Sequence, residues 1–242
     1  MARPVRGIHD KKITPLSGTS NGARGTFGSA DLSTSAPSRV GKFIIFEGGE
    51  GSGKTTIVER MKKEFPDFVY TQDPGGTKLG HEIRNLLMSD KTKDIDPRTE
   101  LLLFLASRAQ MITEIIRPAL DSGKTVISNR FALSSIAYQI YGRERAELMP
   151  LYRAVGDILH EGFTPDATIL LDVTPEIGIQ RVHSRQEEPT RFDNEALDFH
   201  ARVREGYKKH LAEFGTPILI DADKPLEEVW TEVKNAVQSV VK

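Results

Sequence analysis

The 242-residue chain contains no cysteine. Disulfides, thiolate metal sites and cysteine nucleophiles are thereby excluded. No run approaches the roughly 18 apolar residues of a membrane span. No apolar signal core follows the start, so neither a membrane partner nor secretion is expected, and the expected setting is the cytoplasm. Neither sign of charge dominates, with 33 Lys and Arg against 34 Asp and Glu. No global field therefore recruits nucleic acid or an anionic surface. What remains, 38% hydrophobic and 28% charged residues, suits one globular domain with a tail.

The tail is expected over residues 1–40. It is rich in Gly, Ser, Thr and Pro, Phe27 is its one aromatic residue, and six cations face two anions there. Too little apolar surface is present to offset the entropy of ordering it. An organelle transit peptide is the alternative, although an amphipathic helical stripe is missing. The globular domain is expected over 41–242.

The centre of the chain is Phe43-Ile44-Ile45-Phe46-Glu47-Gly48-Gly49-Glu50-Gly51-Ser52-Gly53-Lys54-Thr55-Thr56. It reads as a buried strand, a glycine turn and a helix start, and from Gly48 to Thr55 it holds the complete P-loop pattern. Glycines let consecutive N–H groups converge on one anion. A helix beginning near Lys54 adds its positive end. Lys54 is placed to reach the β- and γ-phosphates, and Thr55 to offer a hydroxyl to Mg²⁺. Binding of a nucleoside triphosphate is thus expected at Gly48, Gly49, Gly51, Ser52, Gly53, Lys54, Thr55 and Thr56.

Short apolar runs alternate with helical patterns along the rest of the chain. Strands are expected at Phe68–Gln72, Thr125–Ser128, Ala167–Val173 and Pro217–Ile220. Between them fall helices at Leu79–Met88, with Ile83, Leu86 and Leu87 on one face, and at Thr99–Leu120, kinked or ended by Pro118. Further helices are expected at Phe131–Tyr141, Ala146–His160, Pro175–Val182, Glu195–Phe214 and Leu226–Val241. This alternation implies a parallel sheet covered on both faces.

Several residues carry chemistry by position. Phe104 and Arg108 are i and i+4 on one helix face. Alone they read more simply as a core ring beside a solvated cation. Arg130 follows a strand end, where ligand crevices form in such sheets. Arg181, Arg185 and Arg191 bracket the polar run His183–Thr190, as a mobile lid would require.

Taken together these stretches resemble the thymidylate kinase family. The resemblance rests on the P-loop run, Asp73-Pro74-Gly75-Gly76-Thr77, Phe104 with Arg108-Ala109-Gln110, and Arg117-Pro118-Ala119-Leu120. It also rests on Asn129-Arg130-Phe131, Ser134-Ser135, Ala137-Tyr138-Gln139, Arg191-Phe192-Asp193 and Arg202 through Tyr207. It implies a three-layer α/β P-loop nucleoside monophosphate kinase fold with a five-stranded parallel sheet and a short lid at about 181–193. It implies transfer from Mg²⁺-ATP to dTMP, and a homodimer packed through the long helices.

Residue by residue, the resemblance puts Glu50 near the acceptor's 3′-hydroxyl, and Phe104 and Arg108 on the thymine. Arg130, assisted by Arg84, falls on the acceptor phosphate. Asp73, Ser135 and Gln139 lie around the acceptor, and Tyr138 crowds the sugar's 2′ position. Lys54, Glu50 and Arg130, with Arg185 and Arg191 of the lid, are the expected catalytic set. Thr55 and Asn129 are the expected metal side. The family's pattern is departed from at Gln72, Asn129, Ile140 and Thr190. These departures leave open a kinase of another or modified deoxynucleoside monophosphate, or a nucleotide-binding module with little transfer activity.

Overall fold

Five short strands form the frame, and each is explained by where its side chains go. The structure is a computed structural model, and it describes residues 41–89, 92, 94–160, 164–184 and 190–242. The expected tail and Arg185 lie outside the described residues. In β1 (Phe43–Glu47) every side chain is buried. β2 (Val69–Gln72), β3 (Val126–Asn129), β4 (Ala167–Asp172) and β5 (Thr216–Asp221) complete one parallel sheet in the order β2-β3-β1-β4-β5. Ile44 pairs with Ile127 and Ile45 with Ser128, so alternate residues feed opposite faces.

One face is closed by α1 (Lys54–Glu64) and α9 (Leu226–Val241) over Ile44, Phe46, Ile127 and Ile169. The other packs Phe43, Ile45, Val126 and Leu170 under the remaining layer. That layer contains α2 (Lys78–Met88), α3 (Pro97–Met111), α4 (Arg117–Asp121), α5 (Ala132–Ser135), α6 (Met149–Leu159) and α8 (Leu197–His210). α7 (Pro175–His183) follows β4 and leads toward the expected lid.

Four expectations are corrected in detail. Leu86 does not share the buried face of α2; Ile83 and Leu87 are buried while Leu86 is 46% exposed. The long helix begins at Pro97, where the Asp96 carboxylate accepts the Arg98 and Thr99 N–H groups. Pro118 neither ends nor breaks its path. Lacking an N–H, Pro118 cannot extend an α ladder, and the chain crosses it through a π turn, Ile112–Ile116, in which the Arg117 N–H reaches the Ile112 carbonyl. The segment after α5 is also a π turn, Ile136–Gly142, rather than α-helix, and it carries Tyr138 and Gln139.

Candidate active site

The carboxyl ends of β1 and β3 and the start of α1 open into a cleft of about 610 Å³. Parallel α/β sheets bind ligands at this end because the strands deliver their loops and helix N-termini there. The P-loop forms its floor. Gly51 has φ +71, and a Cβ there would lie 2.0 Å from the Gly178 carbonyl oxygen of α7. Gly53, the N-cap of α1, needs its freedom for a different reason: nothing crowds it, but its φ is +86. Thr55 and Thr56 are exposed at the cleft.

Lys54, placed by the motif to reach the phosphates, does not stand toward solvent in the structure. Its side chain is buried, and its ammonium donates to the carbonyls of Gly48 (2.9 Å) and Gly49 (2.8 Å) and to Ser52 Oγ (2.9 Å). A compact ammonium has three donors to satisfy, and the tight loop turns its own acceptors toward them.

Arg130 occupies the centre. It is a non-glycine residue at φ 70, a left-handed conformation that costs energy and that surrounding contacts must enforce. Its Nη1 donates to the Gly48 carbonyl (2.9 Å) and the Tyr207 hydroxyl (2.6 Å), and its Nη2 to Glu50 (2.7 Å) and the Tyr138 hydroxyl (2.9 Å). The guanidinium also stacks 4.8 Å from the Tyr138 ring centroid. Burial pushes the Glu50 carboxyl up, but Arg130 and Lys54 outweigh it and hold it at about 2. Beneath this pair lies Glu47, fully buried at the end of β1. It accepts from the Phe131 and Ser134 N–H groups and from the Ser134 and Tyr207 hydroxyls. Burial raises its carboxyl above the ordinary range, against the pull of Arg130. Sequence reasoning assigned no role to Glu47, Ser134 or Tyr207.

The cleft continues into a partly apolar end. Phe104 and Phe192 stand with ring centroids 6.3 Å apart, and Tyr138 meets Phe192 edge-on at 5.7 Å. Arg108 is buried beside them. Its Nε donates to Asp73 (2.6 Å), and one Nη donates to Ser135 Oγ (2.8 Å) and the Phe131 carbonyl (3.2 Å). Its Nη1 has no hydrogen-bond partner among the described residues, nor does Asp73 Oδ1. Arg84 donates to the Pro74 carbonyl, and burial, then Arg130, lowers its pKa. Arg84, Phe104, Arg108, Gln139 and Asn129 line the cleft, whereas Ser135 stands behind Arg108.

The expected lid splits. Arg181 lines the cleft and donates to the Ala222 and Asp223 carbonyls, beside Lys224, Leu226 and Val229. That wall was missed, although the loop after β5 had to reach this end of the sheet. Arg191, expected to face the transferring group, turns away. It is buried, donates to Glu100 (2.9 Å) and to the Leu87 carbonyl, and leaves the cleft to Phe192 and Asp193. The reason is electrostatic: Glu100 is a buried carboxylate that needs a cation.

Fold and site together define a P-loop nucleoside monophosphate kinase. The Thymidylate kinase family model matches residues 46–233. A thymidylate kinase of Bacillus pumilus is 38% identical over 208 residues, covering 84% of this chain and 97% of that protein. One from Clostridium novyi is 42% identical over 202 residues, covering 80% and 97%. A crystal structure of thymidylate kinase from Ehrlichia chaffeensis superposes with a TM-score of 0.64 at 31% identity, over 82% of this chain and 99% of that one. The chain belongs to the thymidylate kinase family.

Proposed function

We propose that the protein transfers the γ-phosphoryl group of ATP to the 5′-phosphate of dTMP, giving dTDP for deoxynucleotide biosynthesis. The observation that carries this reading is the buried, unpartnered Nη1 of Arg108 in the cleft that also holds the P-loop. An orphaned buried donor is costly unless a ligand acceptor meets it, and a base carbonyl supplies one.

The acceptor's ring lies against Phe104, with Phe192 and Tyr138 enclosing it, and Asp73 and Ser135 hold Arg108 in place. Arg130 and Arg84 take its phosphate. Glu50, held as a carboxylate, accepts from the sugar hydroxyl, and Tyr138 leaves no room for a second one. The P-loop N–H groups of Gly48 through Thr56 hold the donor phosphates, and Lys54 exchanges its loop carbonyls for them. The acceptor is already anionic, so the protein supplies alignment and charge rather than a strong base. Arg185 is assigned the lid cation, since Arg191 is committed to Glu100.

Mg²⁺ fits Thr55 and Asn129, because the Thr55 side chain opens to the cleft and Asn129 Oδ1 is buried without a partner. When bound, the ion supplies charge neutralisation at the phosphates. Both candidate oxygens are neutral, so ATP brings most of its ligands.

Residues 41–242 form the catalytic domain in this reading, with residues 1–40 as an appended tail. A homodimer forms through Leu79 and Leu86 of α2, Leu102 of α3 and Ile158 of α6, which are 46–66% exposed. A cytoplasmic setting remains part of this reading; no helix among the described residues is long and apolar enough to cross a membrane. Of the departures from the family pattern, Gln72 and Asn129 line the cleft while Ile140 is buried in the core. A coupled assay of ADP release across dTMP, dUMP, dCMP and dGMP tests the reading. Turnover fastest with dTMP supports it, and turnover with dGMP but not dTMP refutes it.

A further inference from the structure

The Glu100 carboxylate lies one turn before Phe104 on α3 and is 2% exposed. Its Oε1 accepts from Gln139 Nε2 at 2.9 Å, its Oε2 accepts from Arg191 at 2.9 Å, and Arg143 Nε stands 3.6 Å away. Two guanidinium groups and an amide thus converge on one buried carboxylate.

This arrangement fixes something that a glutamine alone leaves open. An amide side chain presents either its N–H₂ or its carbonyl, and the two ends differ only by a flip. A carboxylate only accepts, so Gln139 must turn its N–H₂ toward Glu100. The carbonyl is the end that remains, and Gln139 lines the cleft. Across the same cleft Arg108 offers the buried donor Nη1. The site therefore presents one fixed donor and one fixed acceptor.

We propose that Glu100 is a positioning residue that sets this polarity, so that the cleft selects a pyrimidine with a 4-oxo group and an N3–H over one with a 4-amino group. A 4-oxo pyrimidine gives its O4 to Arg108 and its N3–H to the Gln139 carbonyl. Cytosine sets its amino N–H against the Arg108 donor and its bare N3 against the Gln139 carbonyl, so both contacts repel. The assignment rests on the reading of the cleft as a pyrimidine monophosphate site. It also accounts for the burial of Arg191, which helps hold the carboxylate that orients Gln139.

The test uses the full chain, with dTMP and dCMP as probes. Calorimetric titration gives their affinities, and kcat/KM with ATP is measured for the wild type, Glu100→Gln and Glu100→Asp. The wild type binds dTMP more tightly than dCMP. In Glu100→Gln the new amide accepts or donates, Gln139 is free to turn, and the dTMP-to-dCMP ratio falls by about tenfold or more, chiefly through KM. Glu100→Asp keeps an anionic acceptor and retains the ratio within about threefold even where its melting temperature drops. A merely structural glutamate would lower stability and leave the ratio alone.

A folded Glu100→Gln protein with an unchanged ratio overturns the proposal. Should that variant fail to fold, Gln139→Met decides: it must lower the ratio by about tenfold or more, and an unchanged ratio overturns the proposal. Equal wild-type affinity for dCMP and dTMP also overturns it. Tight dTMP binding without turnover refutes the kinase reading and leaves the polarity assignment standing.

Discussion

Replacing Arg108 by Met leaves Asp73 with a buried carboxyl and without its hydrogen-bonded cation. Both side chains of the pair are 1% exposed and 2.6 Å apart. Removing one member of such a pair costs about 3–5 kcal/mol, since the desolvation of the survivor is no longer offset. For a domain of this size that is a fall of roughly 10 °C in melting temperature. Burial already raises the Asp73 carboxyl above its ordinary value, and Arg108 is the chief group pulling it back. Without Arg108 it rises further, and the folded state takes up a proton that the unfolded state releases. An acid whose folded pKa is raised loses stability as pH increases from its unfolded value toward the folded one. The gap between wild type and Arg108→Met must therefore widen from about pH 4 upward, starting at the unfolded Asp value. Urea unfolding at several pH values measures it. Arg108→Met combined with Asp73→Asn should recover at least half of the loss, because the buried charge is gone. A single-variant loss below about 1 kcal/mol, or a double variant as unstable as the single, refutes the account of the pair.

Three other substitutions probe the rest of the site. Lys54→Met should lower kcat about a thousandfold while moving the melting temperature by about 3 °C at most, since its apo hydrogen bonds are worth little net; near-normal turnover contradicts its phosphate role. The groups around the Glu50 carboxylate, Arg130 first and then Lys54 and Tyr138, should together contribute about 3 kcal/mol at neutral pH, a contribution present above pH 4.5 and lost as pH falls through about 2. The stability gap between wild type and Glu50→Gln should accordingly shrink on acidification, and a pH-independent gap removes this contribution from the argument. Ile158→Glu places a charge on a side chain that is 66% exposed in the single chain. Sedimentation should move from twice the 26.9 kDa chain mass to that mass, and a wild type already at the lower mass ends the dimer proposal.

The fold was legible because its signals are local. An apolar run buried on both faces marks β1, and the Gly48-to-Thr55 spacing marks the turn that follows it. α9 begins and ends where its pattern of buried valines predicts. The two π turns were not legible, because α and π ladders share nearly the same side-chain periodicity over one turn. The contacts that hold Arg130 were hidden for a different reason. Tyr207 lies 77 residues away in sequence and Gly48 lies 82 away, and no spacing rule connects them. Arg191 shows the limit from the other side. Its place in an Arg-rich polar run suggested a lid cation, but the direction of a side chain depends on its partner, and a buried Glu100 on α3 leaves no mark in the lid's own sequence.

The central claim is transfer to dTMP within the cleft that joins Arg108 and Arg130 to the P-loop. Its most direct measurement is incubation of the full chain with Mg²⁺, dTMP and ATP radiolabelled at the γ-phosphate, followed by separation of the products. The account predicts label in the β-phosphate of dTDP, appearing as ADP forms and nearly absent with Lys54→Met. Label in inorganic phosphate alone, at a rate indifferent to dTMP, would contradict it.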